Sequence, residues 1–224
     1  MIKPLSITSL LFLLVSSLPT HAQKSDSTHT HYAFYRGFST HETELKSKKG
    51  IKNGEYKIFN GHSITAKGLY KNDERIGLWE FYKNKDSIEQ VYNYTTKKVV
   101  YSQPFANAKF YLDSLKEGDR IVYPTKIGGS FGIYFLLRLF RPPNHPLKSA
   151  IPCPLLYIFS IDESGKLIRY QTKIEDGSSV ILDEIPLEKL RAEDFEFSPA
   201  KLNGRQVAST LVIEALFDPS KRRY

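Results

Sequence analysis

Cysteine is nearly absent: Cys153, set between Pro152 and Pro154, is the only thiol in the 224 residues. One thiol cannot close an internal disulfide, so the fold must rest on core packing. A lone cysteine in such a setting is expected to be a small buried hydrophobe rather than a reactive group. Motifs that carry chemistry are missing as well. There is no His-Glu-x-x-His pair, phosphate-binding glycine loop or paired-cysteine site. Two adjacent carboxylate pairs exist, Asp162-Glu163 and Asp183-Glu184. Neighbouring strand residues point to opposite faces, and the first pair falls in a turn, so neither suits an acid/base couple. The expectation is a non-enzyme with no catalytic residue, no cofactor and no metal site.

Long apolar runs are also lacking. A membrane-spanning helix wants about 20 apolar residues, whereas Leu5 to Leu18 is shorter, broken by Ser16-Ser17 and closed by Pro19. Lys3 ahead of that run and Thr20-His21-Ala22 before Gln23 make residues 1–22 a secretory signal peptide pattern. No cysteine stands near the cleavage point to accept a lipid. A periplasmic or secreted protein is expected, with an inner-membrane anchor as the lesser alternative. The formal charge is +8, and losing the leader removes only Lys3, leaving +7. Such a balance attracts acidic lipid headgroups, polyanionic glycans or acidic proteins, although lysine-rich loops also serve solubility alone. Nucleic acid is not the expected partner, because the chain is exported and shows no zinc-finger or RNA-binding motif.

Residues 23–50 read as a polar lead-in segment in which Tyr32 to Tyr35 suit a short strand. His29 and His31, with His41-Glu42 nearby, are of metal-ligating type. Without a defined scaffold they are expected to be solvated loop histidines. From 51 to 101 a repeat can be counted: Gly54-Glu55-Tyr56-Lys57-Ile58-Phe59 returns as Gly77-Leu78-Trp79-Glu80-Phe81-Tyr82, with Gly68-Leu69-Tyr70 between the copies. Each unit reads as two short strands whose aromatics stack through neighbouring hairpins. Gly54, Tyr56, Gly68, Tyr70, Gly77 and Trp79 thus define a motif that resembles the MORN-type repeat family in its bacterial variant. The resemblance implies membrane or protein contact, and some bacterial members carry an antitoxin-component label.

Residues 102–125 form a connector with a short helix expected from Phe110 to Lys116. Phe131 to Phe140 is dense in apolar residues and suits a buried helix or a core strand. Leu155 to Ile161 is apolar on both faces apart from Ser160, as a central strand would be. Asp162 to Gly165 makes a turn, and the alternation from Lys166 to Glu175 completes a hairpin. Pro186 is placed to start a helix through Leu187 and Leu190. Asn203-Gly204 is a turn pair, followed by a strand with Val207, Ser209, Leu211, Ile213, Ala215 and Phe217 on one face. Residues 219–224 are a basic tail.

That order, with Gly128-Gly129, Phe159 to Lys166 and Phe197 to Val207, is similar to the TonB C-terminal domain family over about 126–218. The resemblance implies an α+β fold, with an antiparallel three-stranded sheet backed by two helices after the tandem β-hairpin repeats. It also implies a function: binding a peptide of an outer-membrane receptor, or of another envelope protein, by β-strand addition to the last strand. The partner-binding edge is then Gln206, Val207, Ser209, Thr210, Leu211, Val212, Ile213 and Glu214. The chain departs from an energy transducer in lacking an anchor helix and a long proline-rich spacer, so an adaptor is expected rather than a motor component. The competing reading has the repeats grip anionic lipid or peptidoglycan through Lys52, Lys57, Lys67, Lys71 and Arg75. Oligomeric state stays open.

Overall fold

A computed structural model describes residues 27–84, 87–113, 115–143, 152–177 and 179–219. The leader 1–22 and nearly all of the tail lie outside the described residues. Among the described residues strands make up 62% and helical residues 9%, which overturns the expected α+β fold with two helices. The chain begins with a seven-stranded antiparallel meander: β1 Thr28–Tyr35, β2 Phe38–Leu45, β3 Lys48–Asn60, β4 Ser63–Lys71, β5 Glu74–Asn84, β6 Ser87–Asn93 and β7 Lys98–Ser102, paired in sequence order. The lead-in therefore supplies two full strands of this sheet. Arg36 (φ 52°) and Gly37 (φ 92°) form the two-residue turn joining them, the left-handed pair that suits the twist of a hairpin.

The repeat sets the meander's core. Period-two alternation puts Tyr56 and Ile58 of β3 on the same face as Trp79 and Phe81 of β5, all fully buried. Between them, on β4, Gly68 pairs with Tyr56. A Cβ on Gly68 would stand 2.3 Å from the Trp79 indole, so the missing side chain is what lets the indole lie against the strand. Trp79 Nε1 donates to the Leu69 carbonyl at 3.1 Å, and Tyr70 meets both the Tyr56 and Trp79 rings edge-on. Gly54 (φ 118°) and Gly77 (φ 61°) hold left-handed backbone within β3 and β5.

After the meander come β8 Ala108–Tyr111, β9 Ile121–Val122, β10 Thr125–Lys126 and the helix α1 Gly129–Leu137; then β11 Cys153–Ile161, β12 Leu167–Asp176, β13 Ser179–Glu184, β14 Phe197–Ser198, β15 Ala200–Leu202, β16 Arg205–Val207 and β17 Ser209–Phe217. The second large sheet has five strands in the order β13-β12-β11-β17-β8, where three were expected. Strand β8 takes Phe110 and Tyr111, the first two residues of the stretch to Lys116 expected as a helix, and the described residues after them form no helix. Pro186 opens only a 3-10 turn, Leu187–Lys189, because the chain returns to extended backbone at Leu190. The hairpin at Asp162 to Gly165, the central position of β11 and the left-handed Asn203-Gly204 turn stand as expected.

The apolar run at 131 becomes a helix, apolar on all sides because both sides are covered. Phe131 and Phe135 join the meander's aromatic core, while Ile133 and Leu136 join the core of the five-stranded sheet. The ends of α1 are tied to opposite sheets. Glu89 of β6 accepts from the Ser130 backbone N–H (2.9 Å) and hydroxyl (2.5 Å), and Gln90 accepts from Gly128 N–H (2.7 Å). A carboxylate here answers the unpaired N–H groups and the positive end of the helix. At the other end Tyr170 of β12 donates its hydroxyl to the Leu136 carbonyl at 3.0 Å. The Gly68 contact yields a first prediction: Gly68→Ala forces the indole off the strand and lowers stability by about 1–3 kcal/mol, the usual cost of overpacking, measured by urea unfolding.

Candidate binding surfaces

The junction between the sheets is lined by charged groups, and their contacts show what each is doing. At the β1–β2 turn the Arg36 guanidinium lies 3.7 Å from the Phe135 ring centroid and grips the buried Asp194 carboxylate with two bonds, 2.6 and 3.0 Å. Burial pulls this guanidinium down, yet the bonds to Asp194 outweigh it and hold Arg36 above its ordinary value. Tyr35 donates to Glu193 alongside. Burial first, then this bond, pushes the Tyr35 phenol up to about 12. Arg75 donates to the hydroxyls of Tyr70 (3.1 Å) and Tyr94 (2.8 Å) beneath the same segment. Lys126 is fully buried, its Nζ bonded to the carbonyls of Glu193 and Glu196, both at 2.8 Å. Tyr35 and Arg36 thus fasten Glu193 and Asp194 to the meander, and Lys126 of the 125–126 strand holds the Glu193 and Glu196 carbonyls from the other side of the junction.

The residues expected to grip anionic lipid or glycan are largely occupied. Lys52 pairs with Glu42 (3.6 Å), Lys57 with Glu55 (2.8 Å) and Lys67 with Glu80 (3.0 Å), and Arg75 faces inward. The motif residues Tyr56 and Trp79 are core, and Tyr70 packs against both. Cys153 is buried, its Sγ 3.7 Å from the Phe217 carbonyl, and burial pushes the thiol up, away from the nucleophilic form. Asp162 accepts from the backbone N–H groups of Ser164 and Lys166, both at 2.9 Å, so it caps a turn.

The expected edge strand requires correction. β17 lies inside its sheet: β11 runs along one side from Ser209 to Phe217, and β8 covers the other at Thr210, Leu211, Val212 and Ile213. Glu214 N–H bonds to the Asn107 carbonyl at 2.9 Å. The four-residue Ala108–Tyr111 segment closes this edge. Of the expected binding residues, only Gln206 and Val207 sit on an outer strand, β16.

The five-stranded sheet has two outer strands, the four-residue β8 and the six-residue β13, and β13 is the longer open edge. It pairs with β12 from Gln171↔Glu184 to Asp176↔Ser179, and among the described residues no strand lies on its other side. Val180 and Leu182 project from it with 60% and 56% of their surface exposed, beside Glu175 and Lys173 of β12. Nothing in the sequence pattern separates β13 from a loop, because its solvent face carries the apolar side chains. The histidines of the lead-in divide between two faces. His41 stacks on Tyr32 at 4.9 Å, whereas His29 and His31 share the opposite face with Glu44. Among the described residues no helix is long and apolar enough to cross a membrane. Comparison with family models, curated proteins and solved structures found no match to the chain, so its function must be argued from its own geometry.

Lys126 yields a pH prediction. Burial pulls its ammonium down to about 8, against about 10.4 in an unfolded chain. Between these values the unfolded chain binds more protons, so stability rises with pH across the window, and the burial cost is present in full below it. Relative to Lys126→Met, the parent protein should gain on the order of 2–3 kcal/mol from about pH 8 to about pH 10.5. A constant difference in urea unfolding would refute this assignment.

Proposed function

We propose that this chain is a non-enzymatic, protein-binding adaptor of the bacterial cell envelope, taking up an extended segment of a partner protein along β13 by strand addition. One observation carries the reading: β13 is an open strand edge with two large aliphatic side chains in solvent. Open edges are normally blunted by charge, proline or a bulge, since an apolar one recruits other chains. An incoming strand would gain main-chain hydrogen bonds and place alternate side chains beside Val180 and Leu182. The Arg169–Glu184 and Lys173–Glu175 pairs, at 3.1 and 2.6 Å, border the patch and would select polar flanks in the partner. The secretory pattern at the N-terminus supports an envelope location, where an outer-membrane receptor or another exported protein is the partner class.

A second reading keeps the anionic glycan or lipid. An open cleft of about 570 Å³ between the hairpin turns and α1 is lined by Arg36, Lys83 and Arg138, with Ser63, Thr65 and Asn84, and among the described residues by no carboxylate. One experiment separates the two. With a photo-crosslinking residue at Leu182, the strand-addition reading predicts a discrete protein adduct in the native envelope, insensitive to high salt. Val180→Lys should abolish it, and Lys83→Ala with Arg138→Ala should not. Salt-sensitive association with murein or anionic vesicles that needs Lys83 and Arg138, with no adduct at Leu182, would overturn it.

A further inference from the structure

The β1–β2 hairpin carries a side-chain cluster that strand addition does not use. Alternation puts His29 and His31 on one face of β1, and the register sets Glu44 directly opposite His29 and diagonal to His31. One donor atom from each of the three lies within 4.8 Å of the other two. His29 Nδ1 is 3.3 Å from Glu44 Oε1, and the two imidazole rings stack with centroids 5.6 Å apart. The other Glu44 oxygen accepts the Gly50 N–H at 2.6 Å, which orients the carboxylate and leaves Oε1 facing the imidazoles. His31 Nδ1 is buried without a hydrogen-bond partner. An orphaned polar nitrogen is costly in a dry site, and it calls for a group that would satisfy it.

We propose that His29, His31 and Glu44 form a binding site for a divalent transition ion of the zinc type, with a further coordination position open to solvent. Two imidazole nitrogens and one carboxylate oxygen suit zinc, whereas calcium and magnesium take all-oxygen sites. Ligand distances of about 2.0–2.2 Å place tetrahedral donors roughly 3.4 Å apart. His29 Nδ1 and Glu44 Oε1, 3.3 Å apart, already meet this spacing, and the widest pair must close by at most about 1.4 Å. His29 is 53% exposed in side chain and stands on the outer strand of its sheet, so its ring is free to turn inward. The Gly50 N–H is the kind of outer contact that fixes a ligating carboxylate. A bound ion would tie β1 to β2 near the open end of the hairpin, where no apolar core holds them.

The test is Zn²⁺ titration of the full chain, stripped of metal, in competition with a chromophoric chelator, together with thermal unfolding. One equivalent should bind at micromolar affinity or tighter and raise the melting temperature. His29→Ala and Glu44→Gln should each weaken binding at least about ten-fold and remove the thermal shift, with circular dichroism confirming that both variants fold. His41→Ala and His62→Ala should change neither readout. Binding weaker than millimolar, or an affinity unchanged by His29→Ala, or equal loss in His41→Ala, overturns the site.

Discussion

The structure depends on one apolar helix that buries two of its sides against different sheets. α1 is nine residues of almost pure apolar character, GSFGIYFLL, too short for a membrane and too greasy for a surface. Neither sheet alone can cover it. Phe131 and Phe135 fill the space above Trp79 and Phe81, Ile133 and Leu136 fill the space above Phe159 and Tyr170, and the helix becomes a wall shared by two cores. Polar contacts reinforce this sharing. Glu89 and Gln90 of the meander hold one end of α1, and Tyr170 of the other sheet holds the far end. The Arg36–Asp194 clamp then fixes the meander's first turn onto the segment leading to β14.

This sharing governs where a partner can act. With the inner faces of both sheets committed to α1, binding falls to strand edges and to the rims of the hairpins. The edge at β17 is closed by β8, and the charges of the repeats are mostly paired within their own sheet. β13 keeps an open ladder and exposed aliphatic side chains, and the β1–β2 hairpin presents a cluster of imidazoles and a carboxylate. The two surfaces lie on different sheets and call for different chemistry, so a protein ligand and a metal ion would not compete.

What could be read from residue order was local and strongly patterned. The 23-residue recurrence located Tyr56 and Trp79 in one aromatic core, Leu155 to Ile161, apolar apart from Ser160, marked a central strand, and Asn203-Gly204 marked a turn. What was misread lacked such a pattern or needed a distant partner. β1 was expected only from Tyr32 to Tyr35 and β2 not at all, because polar residues stand on both faces of THTHYAFY and FSTHETEL and no apolar alternation announces the rest. β8 is four residues long, and its strand state follows from pairing with β17 about a hundred residues away, a contact local propensity cannot express. The expected helix after Pro186 fails because Leu187 and Leu190 pack onto the second core from a single 3-10 turn. The His29, His31 and Glu44 grouping became visible only through the hairpin register.

The most direct test uses two natural reporters, because the only tryptophan, Trp79, lies in the meander core and the only cysteine, Cys153, is buried in the five-stranded sheet. Denaturant unfolding followed in parallel by Trp79 fluorescence and by Cys153 thiol reactivity should give one transition with coincident midpoints, since α1 couples both cores into a single cooperative unit. Two separated midpoints, with Cys153 exposed while Trp79 stays native or the reverse, would contradict it.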